Sequence, residues 1–305
     1  MRVVFMGTPD FAVAVLRRLV EDQWNVAAAY TQPDKPKNRG MKLFPTPVKE
    51  FASTQNIPVY QPASCRDESV LEELRGLEPD VIVVAAYGKL LPKALLDIPK
   101  VAVINVHSSI LPQYRGAAPI NWAVLNGDRE TGVTIQYMAE ELDAGDVLLT
   151  KTAAIASDED AASLYDRLAE LGGEAASEAL SLLEQGNAPR TPQVYGPQYQ
   201  YASILSREMS PMDWTKPAQT LVNQVRGLIP WPCATTNVAG VRWKVFRAHA
   251  GEETAKAPGT ILSAGSEGIA IACGDGRALV ITQLQADGGK RMSAADYLRG
   301  HPIRC

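Results

Sequence analysis

Four continuous apolar runs, "RVVFMG" (2–7), "NVAAAY" (25–30), "VIVVAAYG" (81–88) and "VAVINV" (101–106), constrain this chain more than any other feature. Strands that are apolar on both faces need cover on both faces, and the segments between these runs carry helical period. "TPDFAVAVLRRLVED" sets Phe11, Val15 and Leu19 on one face, with Thr8 or Asp10 placed to cap it. "VKEFASTQN" and "DESVLEELRGL" have the same patterning. The alternation predicts an α/β fold, a doubly wound, Rossmann-like, mostly parallel sheet. "TGVTIQYM" and "DVLLTKTAAI" add strands, and "DEDAASLYDRLAELGGEAASEALSLLEQG" closes the unit as a long helix with Leu164, Leu168 and Leu171 on one stripe and Gly186 as its stop.

At Asn187 the composition turns to Pro, Gln, Tyr and Ser, and "APRTPQVYGPQYQY" has neither helical nor strand period. Beyond it "VRWKVFRAH", "GTILSAG", "GIAIACGDG" and "ALVITQLQ" read as short strands broken by turns. The expected organisation is a first domain over 1–186, a linker over 187–207, and a second, small all-β, OB-like barrel domain over 208–305.

Composition excludes several classes. No run approaches the roughly 20 apolar residues of a membrane helix, and no signal or transit peptide fits the start, so a cytoplasmic protein is expected. Cys65, Cys233, Cys273 and Cys305 are far apart with no His at ligand spacing, which predicts reduced thiols and no metal. Residues 206–305 carry 12 Lys and Arg against 8 Asp and Glu, whereas residues 1–205 carry 18 against 26. A basic second half beside an acidic first half points to a polyanionic partner, although a solvated surplus of cations has the same composition.

One of the three histidines stands at the end of the fourth run, in "NVHSSILPQYRG". Ligands of open α/β sheets bind beyond the carboxyl ends of the strands. The alternate spacing of Asn105 and His107 directs both side chains to one face there. "ELDAGD" offers Asp143 as a third group. A carboxylate beside an imidazole favours its charged form, which can donate a proton or stabilise an oxyanion, and the Asn105 amide adds a fixed dipole. The same residues also fit a satisfied buried histidine beside a capping Asn, with Asp143 making a turn. Ser108 and Ser109 lack the Gly-x-Ser-x-Gly elbow of a nucleophile, and Gly7 lacks the further glycines of a dinucleotide fingerprint. The loop from Thr31 to Val48, with Lys35, Lys37, Arg39 and Lys42, exceeds an ordinary strand-to-helix connection and is expected to be functional or disordered.

"NVHSSILPQYRGAAPI" followed by "ELDAGD" resembles the folate-dependent formyltransferases, whose pattern is Asn-x-His, a Ser-Leu-Leu-Pro variant, Arg-Gly and Leu-Asp-x-Gly. Within that superfamily the resemblance is closest to the methionyl-tRNA branch, through "FMGTPDFA", "TQPDKPKNRGMKLFPTPVK", "VVAAYGKLLP", "TGVTIQYM", "PWP", "APGTIL" and "SAADYL". The resemblance implies 10-formyltetrahydrofolate as co-substrate, initiator methionyl-tRNA as acceptor, no metal, and Asn105, His107 and Asp143 as catalytic residues. It further implies folate contacts from Tyr87, Gly88, Leu90, Leu91, Pro92, Ser109, Leu111 and Pro112, and tRNA contacts from Lys35, Lys37, Arg39, Lys42 and Arg207. Ile204 stands where the family tends to place Lys, while Arg207 keeps the charge. A monomer is expected, and the alternative substrate is a nucleotide-linked amino sugar.

Overall fold

The computed structural model describes residues 1–37, 42–238 and 240–303. Two compact units divide the chain. Residues 1–116, 131–154 and 165–202 form the first, and residues 117–130, 155–164 and those from 203 onward form the second.

The first unit runs β1 (Arg2–Gly7), α1 (Asp10–Glu21), β2 (Asn25–Tyr30), a hairpin of β3 (Lys35–Lys37) and β4 (Lys42–Phe44), α2 (Pro47–Thr54), β5 (Val59–Tyr60), α3 (Glu68–Gly76), β6 (Val81–Ala85), α4 (Lys93–Leu96), β7 (Ala102–His107) and β8 (Arg115–Gly116). After α5 (Pro119–Asn126), which belongs to the second unit, the chain continues as β9 (Glu130–Tyr137), β10 (Val147–Ala154), α6 (Ala161–Glu184) and β11 (Tyr201–Ala202). The main sheet has the order β10-β9-β7-β6-β1-β2-β5. β5, β2, β1, β6 and β7 are parallel and β9 is antiparallel to β7, giving the mostly parallel sheet that the apolar runs predict. From β1 the chain builds β2 and β5 on one side, then crosses to β6 and β7 on the other. That reversal opens a crevice at the carboxyl ends of β1 and β6.

Burial explains the runs. Val3, Val4, Phe5, Met6, Val81, Ile82, Val83 and Ala85 are completely buried, and α1 covers the sheet with Phe11, Ala12, Val15, Leu16 and Leu19. Gly7 is required by close approach, since a Cβ there would stand 2.5 Å from the Ala12 Cβ and 2.9 Å from the Ala85 carbonyl oxygen. The cap of α1 differs from expectation. Pro9 takes the cap position without a side-chain bond, and the Thr8 hydroxyl instead donates to the Tyr87 carbonyl at 3.0 Å. The aperiodic stretch after α6 carries little regular structure. Thr191 bridges Val147, and β11 pairs in parallel with β8.

In the second unit α7 (Ala218–Gly227) precedes β12 (Ala234–Val238), β13 (Val241–Glu253), β14 (Ile261–Gly265), β15 (Gly268–Ala272), β16 (Arg277–Ala286), β17 (Met292–Ser293) and α8 (Ala294–Gly300). The strands form one antiparallel sheet, β12-β13-β16-β15-β14, with β17 added to β16. Its core joins Trp243, Val245, Ile269, Leu279 and Ile281 to Leu221 and Val225 of α7 and Tyr297 of α8, the Tyr297 ring lying edge-on to Trp243 at 5.2 Å. β13 to β16 are the strands read from the sequence; β12, β17, α7 and α8 were not anticipated. Earlier chain segments complete this unit, Asn121 donating to the Gly227 carbonyl and Arg226 to the carbonyls of Ala156 and Glu159.

Candidate active site

β7 delivers the candidate residues. Asn105 lies opposite Gln136 of β9 and His107 opposite Thr134, so the four side chains share one face of the sheet. Thr134 builds the loop after β7, its hydroxyl donating to the Ser109 carbonyl at 2.7 Å and accepting from the Leu111 amide at 3.1 Å. Ser109 Oγ donates to the Gln113 carbonyl at 2.6 Å. These bonds fold residues 108–114 back over His107. The His107 Nε2 then lies 2.9 Å from the Tyr114 carbonyl oxygen. A carbonyl only accepts, so Nε2 is a protonated nitrogen.

The other ring nitrogen, Nδ1, faces Asp143 Oδ1 at 3.5 Å, with both side chains largely buried. This separation is longer than an ordinary hydrogen bond yet close enough for strong attraction once the ring is charged. Asp143 is held elsewhere. Its Oδ2 accepts from the Gly116 amide at 2.9 Å and its Oδ1 from Gln136 Nε2 at 3.1 Å. The carboxylate is therefore tied down by neutral donors and open on the side of the imidazole. A doubly protonated ring has its Nδ1–H directed into that opening. The structure thus brings Asn105, His107 and Asp143 to one end of β7 as the sequence spacing predicts.

The residues expected to touch folate divide in two. Ala86 to Pro92 follow β6 at the crevice. Gly88 and Leu90 are exposed there, Leu90 at 71%. Pro92 and Pro112 are half-buried. Leu91 and Leu111 are buried. Tyr87 is also buried, its hydroxyl 3.4 Å from Cys65 Sγ. Burial first, and then the Cys65 hydrogen bond, push that hydroxyl well above the ordinary tyrosine range. Only the main chain of Tyr87 is at the crevice, its carbonyl held by Thr8 and Gln32. Ser109 is buried and spends its hydroxyl on the loop.

Of the expected tRNA contacts, Lys35 is exposed and donates to Gln32 Oε1 at 2.9 Å. Lys37 and Lys42 are paired across the hairpin. Arg39 lies outside the described residues. Arg207 is exposed at the start of a 3-10 turn in the second unit. Sequence reasoning did not pick out Gln136 and Gln193, which bond Asp143, or the side chain of Arg115, which bonds Gln193. Among them Arg115 had a signal, its place in the Arg-Gly pair of the family pattern.

A family described as formyl transferase matches residues 1–180, and its C-terminal domain family matches residues 204–302. The methionyl-tRNA formyltransferase of Trichlorobacter lovleyi is 50% identical over 302 residues, covering 99% of this chain and 95% of that protein. An N-formyltransferase from Helicobacter canadensis, solved with folinic acid and dTDP-3-aminofucose, aligns with a TM-score of 0.69 at 17% identity, over 92% of this chain and 98% of that one. HypX from Aquifex aeolicus, solved with tetrahydrofolic acid, aligns with a TM-score of 0.62 at 23% identity, over 98% of this chain and 47% of that one. The two solved structures share the fold. The family match over more than half the chain, and half-identity along its whole length, place the chain in the formyl transferase family.

Proposed function

We infer that this chain transfers the formyl group of 10-formyltetrahydrofolate to the α-amino group of methionine on initiator tRNA, the step that prepares the initiator for translation. The supporting observation is the convergence of Asn105, His107 and Asp143 at the carboxyl end of β7, taken together with near-half identity to methionyl-tRNA formyltransferases. In the proposed mechanism the amine lone pair forms the new C–N bond while the carbonyl electrons move to oxygen. His107 as imidazolium and the Asn105 amide stabilise that oxyanion; one such donor contributes about 3 to 4 kcal/mol. Asp143, tied by Gly116 and Gln136, keeps the imidazolium paired and takes up the amine's proton through water. Collapse of the intermediate breaks the bond to N10, which leaves with a proton as tetrahydrofolate.

The exposed Gly88 backbone and Leu90 side chain fit a flat heterocycle with a polar rim at the crevice. Lys35, Lys37, Arg39 and Lys42 of the hairpin loop and Arg207 are the proposed phosphate contacts. The first 186 residues are the proposed catalytic domain and residues 208–305 the proposed tRNA-binding domain, acting as a monomer in the cytoplasm. The test is direct. Purified protein, 10-formyltetrahydrofolate and charged initiator tRNA should yield formylmethionyl-tRNA; turnover of a nucleotide-linked amino sugar with no product on tRNA would replace this reading with the alternative.

A further inference from the structure

We propose that Gln193 is a positioning residue for formyl transfer: it fixes both the turn that carries Asp143 and the orientation of the amide that holds the Asp143 carboxylate. The proposal rests on the catalytic role assigned to Asp143 above. Asp143 has φ of 50°, a left-handed conformation that a non-glycine residue keeps only with outside support. The turn lies tight against β9, since a Cβ on Gly145 would stand 1.8 Å from the Tyr137 carbonyl oxygen. Gln193 supplies the support. Its Nε2 donates to the carbonyls of Asp143 at 3.0 Å and Gly145 at 2.7 Å.

The polarity of this amide is imposed from its far end. Arg115 Nε and Nη2, which can only donate, reach Gln193 Oε1 at 3.0 and 2.9 Å. The Arg115 side chain is itself 9% exposed, with its guanidinium 4.6 Å from the Tyr195 ring centre. Gln193 Oε1 therefore faces Arg115, and Nε2 must face the turn. Its two hydrogens serve three acceptors, because Gln136 Oε1 also lies within 3.3 Å; with that oxygen turned to Gln193, the second amide presents its own Nε2 to Asp143 Oδ1 at 3.1 Å. Orientation is handed from a cation through two amides to the carboxylate beside His107. Residues 187–200 thus supply part of the active site rather than only a connection.

The discriminating substitution is Gln193→Glu, which keeps the size and the partner for Arg115 but turns the donor into an acceptor. It opposes the two carbonyls and reverses the preferred orientation of Gln136, so that an oxygen meets the Asp143 carboxylate. Steady-state formylation of methionyl-tRNA, with melting curves as a check on folding, should show kcat lowered on the order of 10- to 100-fold in Gln193→Ala. Gln193→Glu should lose more than Gln193→Ala, while KM for both substrates stays within about twofold of wild type and the melting transition stays cooperative. Gln136→Met should lose kcat in the same pattern and covers the case in which Gln193→Glu does not fold. A Gln193→Glu enzyme at least as active as Gln193→Ala, or kcat within twofold of wild type in Gln193→Ala, overturns the proposal. Asp143→Ala is assayed alongside. If that variant retains wild-type turnover, the role of Asp143 is what fails, and the two failures are told apart.

Discussion

His107 has one ring nitrogen committed to a main-chain carbonyl and the other aimed at a carboxylate 3.5 Å away. Both ring nitrogens thus face acceptors, and the imidazole is held in one orientation at the end of β7. His107→Ala and Asp143→Ala are each expected to lower single-turnover formylation by more than ~100-fold, because both act on the transition state, while folate binding measured by fluorescence titration persists. Turnover within a few-fold of wild type in either variant removes that residue from the mechanism. These two residues and Asn105 were legible in the sequence, because a strand end, an alternate spacing and an acidic turn are all local signals. Gln193 was not. Its partners lie 50 and 78 residues away, and no local period records a hydrogen bond of that reach. The inward turn of the Tyr87 side chain was illegible for a related reason. An apolar run marks residues that avoid water without saying whether the last one turns to the core or to the crevice.

At the scale of elements, α1 and α6 are joined by a chain of polar contacts. Trp24 Nε1 donates to Ser177 Oγ at 2.9 Å, Ser177 donates to Asp22 Oδ2 at 2.5 Å, and Arg18 Nε reaches the same oxygen at 2.7 Å. The Ser177 hydrogen bond, then that of Arg18, hold the Asp22 carboxyl below the ordinary carboxylate range. A depressed folded-state value stabilises the fold above the unfolded value of about 3.9, and the gain is lost as pH falls through the folded one. Asp22→Asn should therefore lower the melting temperature at pH 7, with the difference from wild type shrinking as melts are taken progressively below the unfolded value of about 3.9. An unchanging difference across that range refutes the linkage. The hairpin β3–β4 is the other element with a testable role. The Thr31–Val48 insertion was legible as too long for a connection, but its strand pairing was not, since three-residue strands carry no measurable alternation. Arg39→Ala is expected to lower turnover on methionyl-tRNA and leave folate binding unchanged, with Arg39→Lys recovering part of the loss because an ammonium lacks the bidentate fork. Equal activity of all three proteins at subsaturating tRNA contradicts that role. α7, by contrast, carries helical spacing at Ala218, Leu221, Val222 and Val225 and was overlooked between a linker and a run of strands.

For the whole molecule the uneven charge balance is the feature that composition alone reports, and the structure gives part of it a surface. A strict alternation along "VRWKVFR" separates Arg247 from Arg242 and Lys244. β13 breaks that alternation with an irregularity between Val245 and Arg247, so that Trp243 and Val245 are buried while Arg242, Lys244 and Arg247 are all exposed. One extra residue turns the last arginine outward with the other two. Three cations brought out along one strand suit a phosphate backbone, whose binding is driven by released counterions. Each phosphate contact contributes about 0.7 to 0.9 to the slope of log affinity against log salt. Replacing Arg242, Lys244 and Arg247 together by Gln should then weaken tRNA binding at low salt and reduce that slope by up to about 2 to 3. The kcat at saturating tRNA should stay near wild type, because none of the three reaches the formyl group in the proposed mechanism. Filter-binding isotherms at several salt concentrations measure the slope. An unchanged slope assigns these residues to a solvated face and returns the surplus positive charge of residues 206–305 to the bland reading that composition also permits.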